Sequence, residues 1–224
     1  MFAREQRQVV QDAGLSKQRV VLEAFRLADR EGVHGLSMRR LAGALGAGAM
    51  SLYHYVASKD ELLDAMIDIV FEEIELPSEA TDWQTAMRRE AESTRQVLAR
   101  HPWAISLMES RTSPGPANLR HREAFTACLR RAGFSVIMAT HANWLLNSYV
   151  YGYALQAASL PFDTADELAD MTEDVYLPQL PPDEFPYLNE SAAALVAAGY
   201  DPAEAFIFGL DLVLAALEPL RASA

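Results

Sequence analysis

The segment from residue 37 to residue 55, SMRRLAGALGAGAMSLYHY, constrains the fold of this chain more than any other. It places Ala42, Gly46 and Leu52 at the spacing of a helix-turn-helix. A small Ala42 lets two helices cross closely, Gly46 permits the positive φ of a tight turn, and Leu52 can anchor the second helix to a core. In such a motif the second helix enters the major groove of DNA. The spacing alone leaves open an ordinary helical hairpin.

The rest of the chain shows helical periodicity and no strand-like alternation, which predicts an all-α protein. Ser16, Ser37 and Ser58 are the predicted N-caps, and Glu61 completes a capping box with Ser58. Helices are predicted over residues 16–31, 37–45, 48–55, 58–75, 82–100, 103–109, 118–132, 135–159, 190–198 and 202–220, with a loop and a short helix between 160 and 186. The predicted domains are a three-helix helix-turn-helix domain at 1–60 and a larger helical ligand-binding and dimerisation domain at 61–224, linked by helix 58–75.

Composition narrows the class of protein. The chain has 224 residues and a single cysteine, Cys128, which excludes a disulfide framework and a cysteine-based zinc site. Because it contains no run of 18 apolar residues, no membrane association is expected. Residues 1–12 are polar and predict no secretory signal. A cytoplasmic protein is therefore expected.

The charge is unevenly distributed. The net charge of −12 argues, by itself, against nucleic-acid binding. The first 60 residues, however, hold nine Lys and Arg against six Asp and Glu, a net of +3, and the remainder holds 10 against 25, a net of −15. This asymmetry is typical of a basic nucleic-acid-binding module on an acidic body, and chance is the alternative, since +3 is a modest charge.

The stretch from residue 31 to residue 66 resembles the N-terminal DNA-binding domain of TetR-family transcriptional repressors, in register and without gaps. The matching residues are Gly32, Gly35, Leu36, Ser37, Arg39, Leu41, Ala42, Leu45, Gly46, Leu52, Tyr53, Tyr55, Lys59, Leu62 and Leu63. The remaining chain resembles the tetracycline-repressor branch more loosely, through Trp83, Arg111, Thr112, residues 133–135, residues 205–212, Leu217 and Glu218. The resemblance implies a homodimer that binds a palindromic double-stranded operator and releases it when a small-molecule inducer occupies the larger domain.

The resemblance also implies which residues contact DNA. Arg39 can make a bidentate contact to guanine, whereas Met50 can offer only apolar contact, for example to a thymine methyl group. The expected base-reading residues are Met38 and Arg39 on the second helix and Ala49, Met50 and Ser51 on the third, with His54 beyond them. The expected phosphate contacts are Ser51, Tyr53, Tyr55 and Lys59. Packing roles for Met50 and Tyr53, and a merely solvated Lys59, are the alternatives, and Arg40 is expected to be solvated.

A ligand site in the larger domain is expected at Trp103, Leu107, Arg111, Phe125, Thr140, Asn143, Trp144 and Asn147. Asn143 and Asn147 lie one helical turn apart, so both amides can face one cavity or bond to each other. Leu107 stands where tetracycline-binding relatives place a metal-binding His, and Glu75 and Glu90 replace the His and Asn that hold the drug. No metal or other cofactor is therefore expected, and tetracycline–magnesium is not the expected ligand.

Residues 135–159 and 202–220 are expected to form the dimer interface, because both are too apolar to face solvent. The alternative is that they bury each other within one chain, and Gln156 is a candidate to reach the partner's pocket. Other functions left open are an activator with this fold, a helical interaction module, and a small all-α enzyme using His101, His121 or His141. The chain contains no HExxH, GxSxG, P-loop or GxGxxG motif, so an enzyme is not expected.

Overall fold

In the computed structural model, the described residues are 14–108, 110, 111, 113–160, 162, 165–172, 174, 179–199 and 201–222. Every regular element in this part of the chain is helical, and none of its residues lies in a strand, which confirms the predicted all-α class. Residues 1–12, on which the expectation of no secretory signal rests, lie outside the described residues, as do Glu109 and Thr112.

Three short helices form the N-terminal part, residues 16–56, which we call the head. They are α1 (Lys17–Glu31), α2 (Met38–Ala44) and α3 (Ala49–Leu52), with a 3-10 turn at Val33–Gly35. Ser16 and Ser37 cap α1 and α2 by accepting 3.2 Å hydrogen bonds from backbone N–H groups three residues on. Gly46 has φ 65°, as the tight turn between α2 and α3 requires.

The third helix is shorter than the predicted 48–55. Regular α-helix covers only Ala49–Leu52, and the chain continues in turns, with Val56 N–H donating to the Leu52 carbonyl over 3.0 Å. Leu52 and Val56 are both buried. The chain therefore turns inward after one helical turn, so that both side chains reach the core of the head.

Helix α4 (Lys59–Glu73) connects the head to the remaining chain, and it ends two residues before the predicted Glu75. Ser58 caps it by accepting a 3.0 Å hydrogen bond from the Glu61 N–H. The Glu61 carboxylate reaches back to the N–H of Ala57 over 2.6 Å, one residue before the position expected for a capping box. Its inward face is apolar and buried and consists of Leu62, Leu63, Met66, Ile67, Val70 and Phe71.

The larger part, from residue 83 onward, we call the body. Its helices are α5 (Trp83–Arg100), α6 (Ile105–Met108), α7 (Pro116–Arg131), α8 (Val136–Ser159), α9 (Ala165–Met171), α10 (Pro186–Ala198) and α11 (Pro202–Leu217), with 3-10 turns at Pro102–Ala104 and Glu218–Ala222. Helices α7 and α10 begin earlier than predicted, at Pro116 and Pro186. Proline at the first helical position loses no hydrogen bond, and its fixed φ suits the helix.

Two hydrophobic cores organise the molecule. The first joins the head and α4 to the end of α5 and to α6, through residues such as Leu98, Trp103 and Met108. The second holds α5, α7, α8 and α11 together, with Phe125 and Phe206 fully buried at its centre. Helix α4 packs on α1 in the head and on α7 in the body. It is therefore the element through which the two parts share a core.

Helix α8 is only partly buried, so the alternative that residues 135–159 and 202–220 bury each other within one chain holds only for part of their surface. One face packs on α11, where the Tyr149 hydroxyl donates a 2.7 Å hydrogen bond to the Phe206 carbonyl. The opposite face leaves large apolar side chains in solvent: Val136, Ile137, Trp144, Leu145 and Leu155 on α8, and Phe208 and Leu212 on α11. Within the described ranges, no helix is both long and apolar enough to traverse a lipid bilayer.

Candidate DNA-binding face and ligand site

Five of the predicted DNA-contacting residues are exposed on α2, on α3 and in the turn that follows α3. We call this set the reading face; its members are Arg39, Met50, Ser51, Tyr53 and His54. Met50 is 78% exposed, and Tyr53 is 44% exposed. Neither is a core residue, so the packing alternative for these two side chains does not hold.

Three further predicted DNA-contacting residues also contribute to the packing of the head. Met38, Ala49 and Tyr55 are half-buried and pack against the first core. Any contact they make with DNA would therefore come from the exposed remainder of each side chain.

Arg39 and Arg40 differ although they are neighbours. Arg40 forms an ion pair with Glu31, so its charge is engaged within the head. Among the described residues Arg39 has no ion pair, and its side chain is exposed. The geometry thus separates a guanidinium available for recognition from one used for structure. The sequence expected Arg40 to be solvated and did not predict its ion pair with Glu31.

Lys59 lies at the start of α4, but its ammonium donates a 2.8 Å hydrogen bond to the Leu36 carbonyl. It therefore ties the loop before α2 to the connecting helix. The first turn of α4 also carries Asp60 and Glu61, with Glu61 paired to Lys17 at 2.6 Å. The hydrogen bond from Lys17 and, second to it, the one from the Ala57 N–H lower the pKa of Glu61. Because these carboxylates lie at the helix start, its backbone N–H groups are a poor place for a phosphate, and a contact with DNA here would involve the Lys59 ammonium alone.

The eight predicted ligand residues are distributed over separate places. Trp103 and Leu107 pack in the first core, Phe125 is buried in the second, and Arg111 lies against α4. The remaining four lie on α8 and line a cleft of about 220 Å³ together with two residues of α7. We call it the amide cleft, and its lining residues are Arg122 and Thr126 of α7 and Thr140, Asn143, Trp144 and Asn147 of α8. The structure thus brings half of the predicted set into one place, with Arg122 and Thr126 as unpredicted neighbours.

In the amide cleft the Asn147 side-chain N–H donates a 2.7 Å hydrogen bond to Asn143 Oδ1. This is the amide–amide pairing that the sequence left as the alternative to ligand contact. The pair uses one donor and one acceptor, so each amide keeps further hydrogen-bonding capacity. Trp144 beside it is 65% exposed and offers a broad aromatic face.

Arg111 clamps the connecting helix. Its Nε donates to Asp64 Oδ1 over 2.5 Å, and its Nη2 donates to the Asp60 carbonyl over 3.0 Å. The hydrogen bond that Arg111 donates to Asp64 is the main reason that the pKa of Arg111 lies above its usual value. The guanidinium therefore joins the loop after α6 to the start of α4, away from the amide cleft.

A second polar contact joins head and body at the other end of α4. Asp29 of α1 accepts a 2.7 Å hydrogen bond from the Trp103 indole, and His101 Nδ1 lies 2.7 Å from the same oxygen. The other ring nitrogen of His101 lies 3.3 Å from Glu73, which also accepts a 2.7 Å hydrogen bond from Arg100. Burial opposes ionisation of Glu73, but the hydrogen bonds from Arg100 and His101 prevail and lower its pKa.

A buried polar cluster lies in the body where the sequence predicted no ligand residue. Glu90 and His121 are 4% and 5% exposed, and the Glu90 carboxylate lies 2.9 Å from His121 Nε2. Thr94 donates a 2.8 Å hydrogen bond to the same carboxylate, and the His121 ring lies 5.3 Å from that of Phe71 on α4. Polar residues one turn apart on the inward face of α5 were the signal that could have revealed the cluster. No group of three or more His, Cys, Asp or Glu among the described residues is placed to hold a metal ion.

A helix-turn-helix head on a larger helical body, with an exposed apolar face on that body, defines a helix-turn-helix regulator. The profile of bacterial regulatory proteins of the tetR family matches residues 21–66, and that of the tetracyclin repressor-like C-terminal domain matches residues 76–221. The chain therefore belongs to the TetR family of bacterial regulatory proteins, which confirms the resemblance inferred from the sequence.

Individual relatives agree with this assignment. ActR of Streptomyces coelicolor, crystallised with (S)-DNPA, superposes with a TM-score of 0.75 at 33% identity over 92% of this chain and 98% of ActR. The transcriptional repressor DrrR1 of Streptomyces coeruleorubidus is 39% identical over 142 residues, 62% of this chain. The class C tetracycline repressor of Escherichia coli is 27% identical over 92% of both chains. The match to DrrR1 spans only 53% of that relative's length.

Proposed function

We propose that this protein is a homodimeric transcriptional repressor that binds a palindromic operator in the cytoplasm and releases it when a small molecule occupies the body. The observation that carries the proposal is the reading face on α2 and α3. Leu41, Ala42 and Leu52 hold these helices on the core. Arg39 and Met50 point away from it and can meet base edges in a major groove.

The proposed division of labour follows the predicted domains, with DNA binding in residues 1–60 and ligand binding and dimerisation in residues 61–224. Helix α4 links them. Met38, Arg39, Ala49, Met50 and Ser51, with His54 beyond, are proposed to read bases. Ser51, Tyr53, Tyr55 and Lys59 are proposed to contact phosphates, Lys59 through the ammonium donors that its bond to Leu36 leaves over.

Two heads are needed to read both halves of a palindrome. The exposed apolar side chains of α8 and α11 support a dimer in which these helices pair with their counterparts in a second chain. In such a dimer the two reading faces would lie about 34–36 Å apart, one turn of DNA. Gln156 on α8 remains a candidate for contact with the partner's ligand site.

We place the inducer at the amide cleft. Asn143 and Asn147 supply amide groups, Arg122 supplies a cation, and Trp144 supplies an aromatic face, a combination suited to an aromatic molecule with polar substituents. ActR was crystallised with actinorhodin, and this supports the same general class of ligand here. Trp103, Leu107, Arg111 and Phe125 would then act as packing or positioning residues. No metal, cofactor or catalytic activity is part of the proposal.

The proposed route from ligand to DNA passes through α4. Arg111 holds its first turn, and Glu73 holds its last turn to Arg100 and His101. A ligand that moves α7 or α8 would shift α4 and change the spacing of the heads. The ligand must bind the released state better, and a coupling of about 1–3 kcal/mol suffices for a clear response.

The decisive experiment selects DNA bound by the full-length protein from a random-sequence library. The proposal expects an inverted repeat whose half-sites are about 10 base pairs apart, centre to centre, and binding that weakens steeply with salt. Enrichment of no sequence at all would remove the repressor hypothesis and leave the interaction module. A second titration adds actinorhodin-like aromatic compounds and follows operator release.

A further inference from the structure

A second cavity lies on another face of the body, between the C-terminal ends of α5 and α8. It has a volume of about 390 Å³ and shares no described lining residue with the amide cleft. Its walls are apolar, with Leu98, Ala99 and Pro102 on one side and Ala154, Ala158 and Leu160 on the other. Arg95 is the one charged side chain among the described residues that line it.

Arg95 lacks the partners that most guanidinium groups of the body possess. Its Nε is buried and has no hydrogen-bond partner within the described part of the chain. No carboxylate there forms an ion pair with it, whereas Arg88 on the same helix pairs with Asp211. A buried donor without an acceptor is costly, so such groups are usually satisfied by the protein, by water or by a ligand.

The environment of Arg95 also orients it. The guanidinium carbon lies 5.4 Å from the centre of the Phe206 ring, which is fully buried in the second core. An aromatic face attracts a cation, so the Phe206 ring helps to hold the Arg95 guanidinium in place. The guanidinium carbon lies over the face of the ring, and the N–H groups at the edge of the guanidinium stay available for hydrogen bonds to a ligand. Those donors match the planar geometry of a carboxylate.

We infer that this Arg95 cavity binds a small apolar carboxylate, with the carboxylate on the Arg95 guanidinium and the hydrocarbon against the alanine and leucine walls. The cavity contains no described carboxylate that would repel such an anion. The inference concerns binding alone. It stands whether or not occupancy of the cavity releases an operator and is independent of the ligand at the amide cleft.

The test measures binding of two carboxylates, octanoate and 2-naphthoate, and of their neutral amides by calorimetry with the full-length protein. At least one acid binds, and its amide binds about tenfold or more weakly, because hydrogen bonds to charged groups are the stronger ones. Arg95→Met abolishes that preference and Arg95→Lys retains part of it. Arg89→Met is the matched control, since Arg89 is exposed on the same helix outside the cavity and its loss leaves binding unchanged.

A second variant guards against misfolding of Arg95→Met. Ala158 is exposed at the cavity wall, so Ala158→Trp can fill the cavity without disturbing the core, and it eliminates binding of acid and amide alike. The inference is overturned if neither acid binds, or if the acid binds a folded Arg95→Met variant as tightly as wild type. If Asn147→Leu abolishes binding and Ala158→Trp does not, the acid binds in the amide cleft. That result would also overturn the inference.

Discussion

The indole Nε1 of Trp103 donates a 2.7 Å hydrogen bond to Oδ1 of Asp29, a residue 74 positions earlier in the chain. Trp103 is 7% exposed, and its ring meets that of Phe25 edge-on at 5.3 Å. One carboxylate oxygen of the head thus accepts a hydrogen bond from the body, and this bond joins the end of α1 to the body. In this way Trp103, which the sequence assigned to the ligand site, contributes to the joint between the two parts.

Removing the acceptor should weaken this joint. Asp29→Ala leaves the buried indole N–H without a partner, and we expect a loss of about 1–3 kcal/mol in the free energy of unfolding, measured with urea. Asp29→Asn is the matched control, because an amide oxygen still accepts the bond, and it should lose clearly less. Equal stabilities for Asp29→Ala and wild type would contradict this account of the joint.

Operator binding should depend on Arg39. Once the operator has been selected, Arg39→Ala should weaken binding by about 1–3 kcal/mol per half-site, and sequence preference at the contacted base pair should relax. Fluorescence anisotropy at fixed salt measures both. Arg26→Ala removes the same charge from an exposed position on α1 and should have a small effect. If the two variants lose affinity equally and sequence preference is unchanged, Arg39 acts only through its charge.

The free energy of unfolding at acid pH should depend on the ionisation of the Glu73 carboxylate. Its folded pKa lies below the ordinary 4.5, so ionised Glu73 stabilises the fold above that value, and this contribution disappears as pH falls through the folded pKa. The carboxylate is 35% exposed, so about 0.5–1 kcal/mol is expected. Urea unfolding of wild type and Glu73→Gln should differ at pH 7 and converge below pH 4.5. Glu72→Gln, on the same helix, is the control, and its free energy of unfolding should differ little from that of wild type at either pH. A difference in free energy between wild type and Glu73→Gln that widens in acid would contradict the stabilising role of ionised Glu73.

Dimerisation should depend on the exposed apolar face of α11. Phe208 is 69% exposed, and Phe208→Asp would place a charge in the proposed interface. Analytical ultracentrifugation at micromolar concentration should show monomer for this variant and dimer for wild type. Leu119, 53% exposed on α7, provides the control, and Leu119→Asp should remain dimeric. A dimeric Phe208→Asp variant would place the interface elsewhere.

The starts of the three helices capped by serine were readable from the chain because caps are local. Ser16, Ser37 and Ser58 each accept a hydrogen bond from an N–H three residues later, as predicted. These contacts depend only on the backbone geometry of a helix start, which the residues themselves specify. The same locality explains why the buried side of the helix-turn-helix, with Leu41, Ala42 and Leu52, could be predicted.

The candidate ligand site was less predictable because its members come from distant helices. Thr140, Asn143, Trp144 and Asn147 share a helix, and their common face follows from its period. Arg111 and Phe125 lie on other segments of the chain, and one binds α4 while the other fills the second core. Which of two neighbouring surfaces a side chain meets depends on how whole helices pack.

The amino-acid sequence therefore suffices to predict the helical class, the caps, the helix-turn-helix and the basic character of the head. That Asp29 joins Trp103, that Arg111 holds α4, and that Arg95 faces an apolar cavity with no ion-pair partner among the described residues follows from how the folded helices pack. Helix starts and periodic faces arise from residues three or four apart. Ion pairs and cavities arise from residues dozens of positions apart, whose meeting is set by the sum of many weak packing contacts.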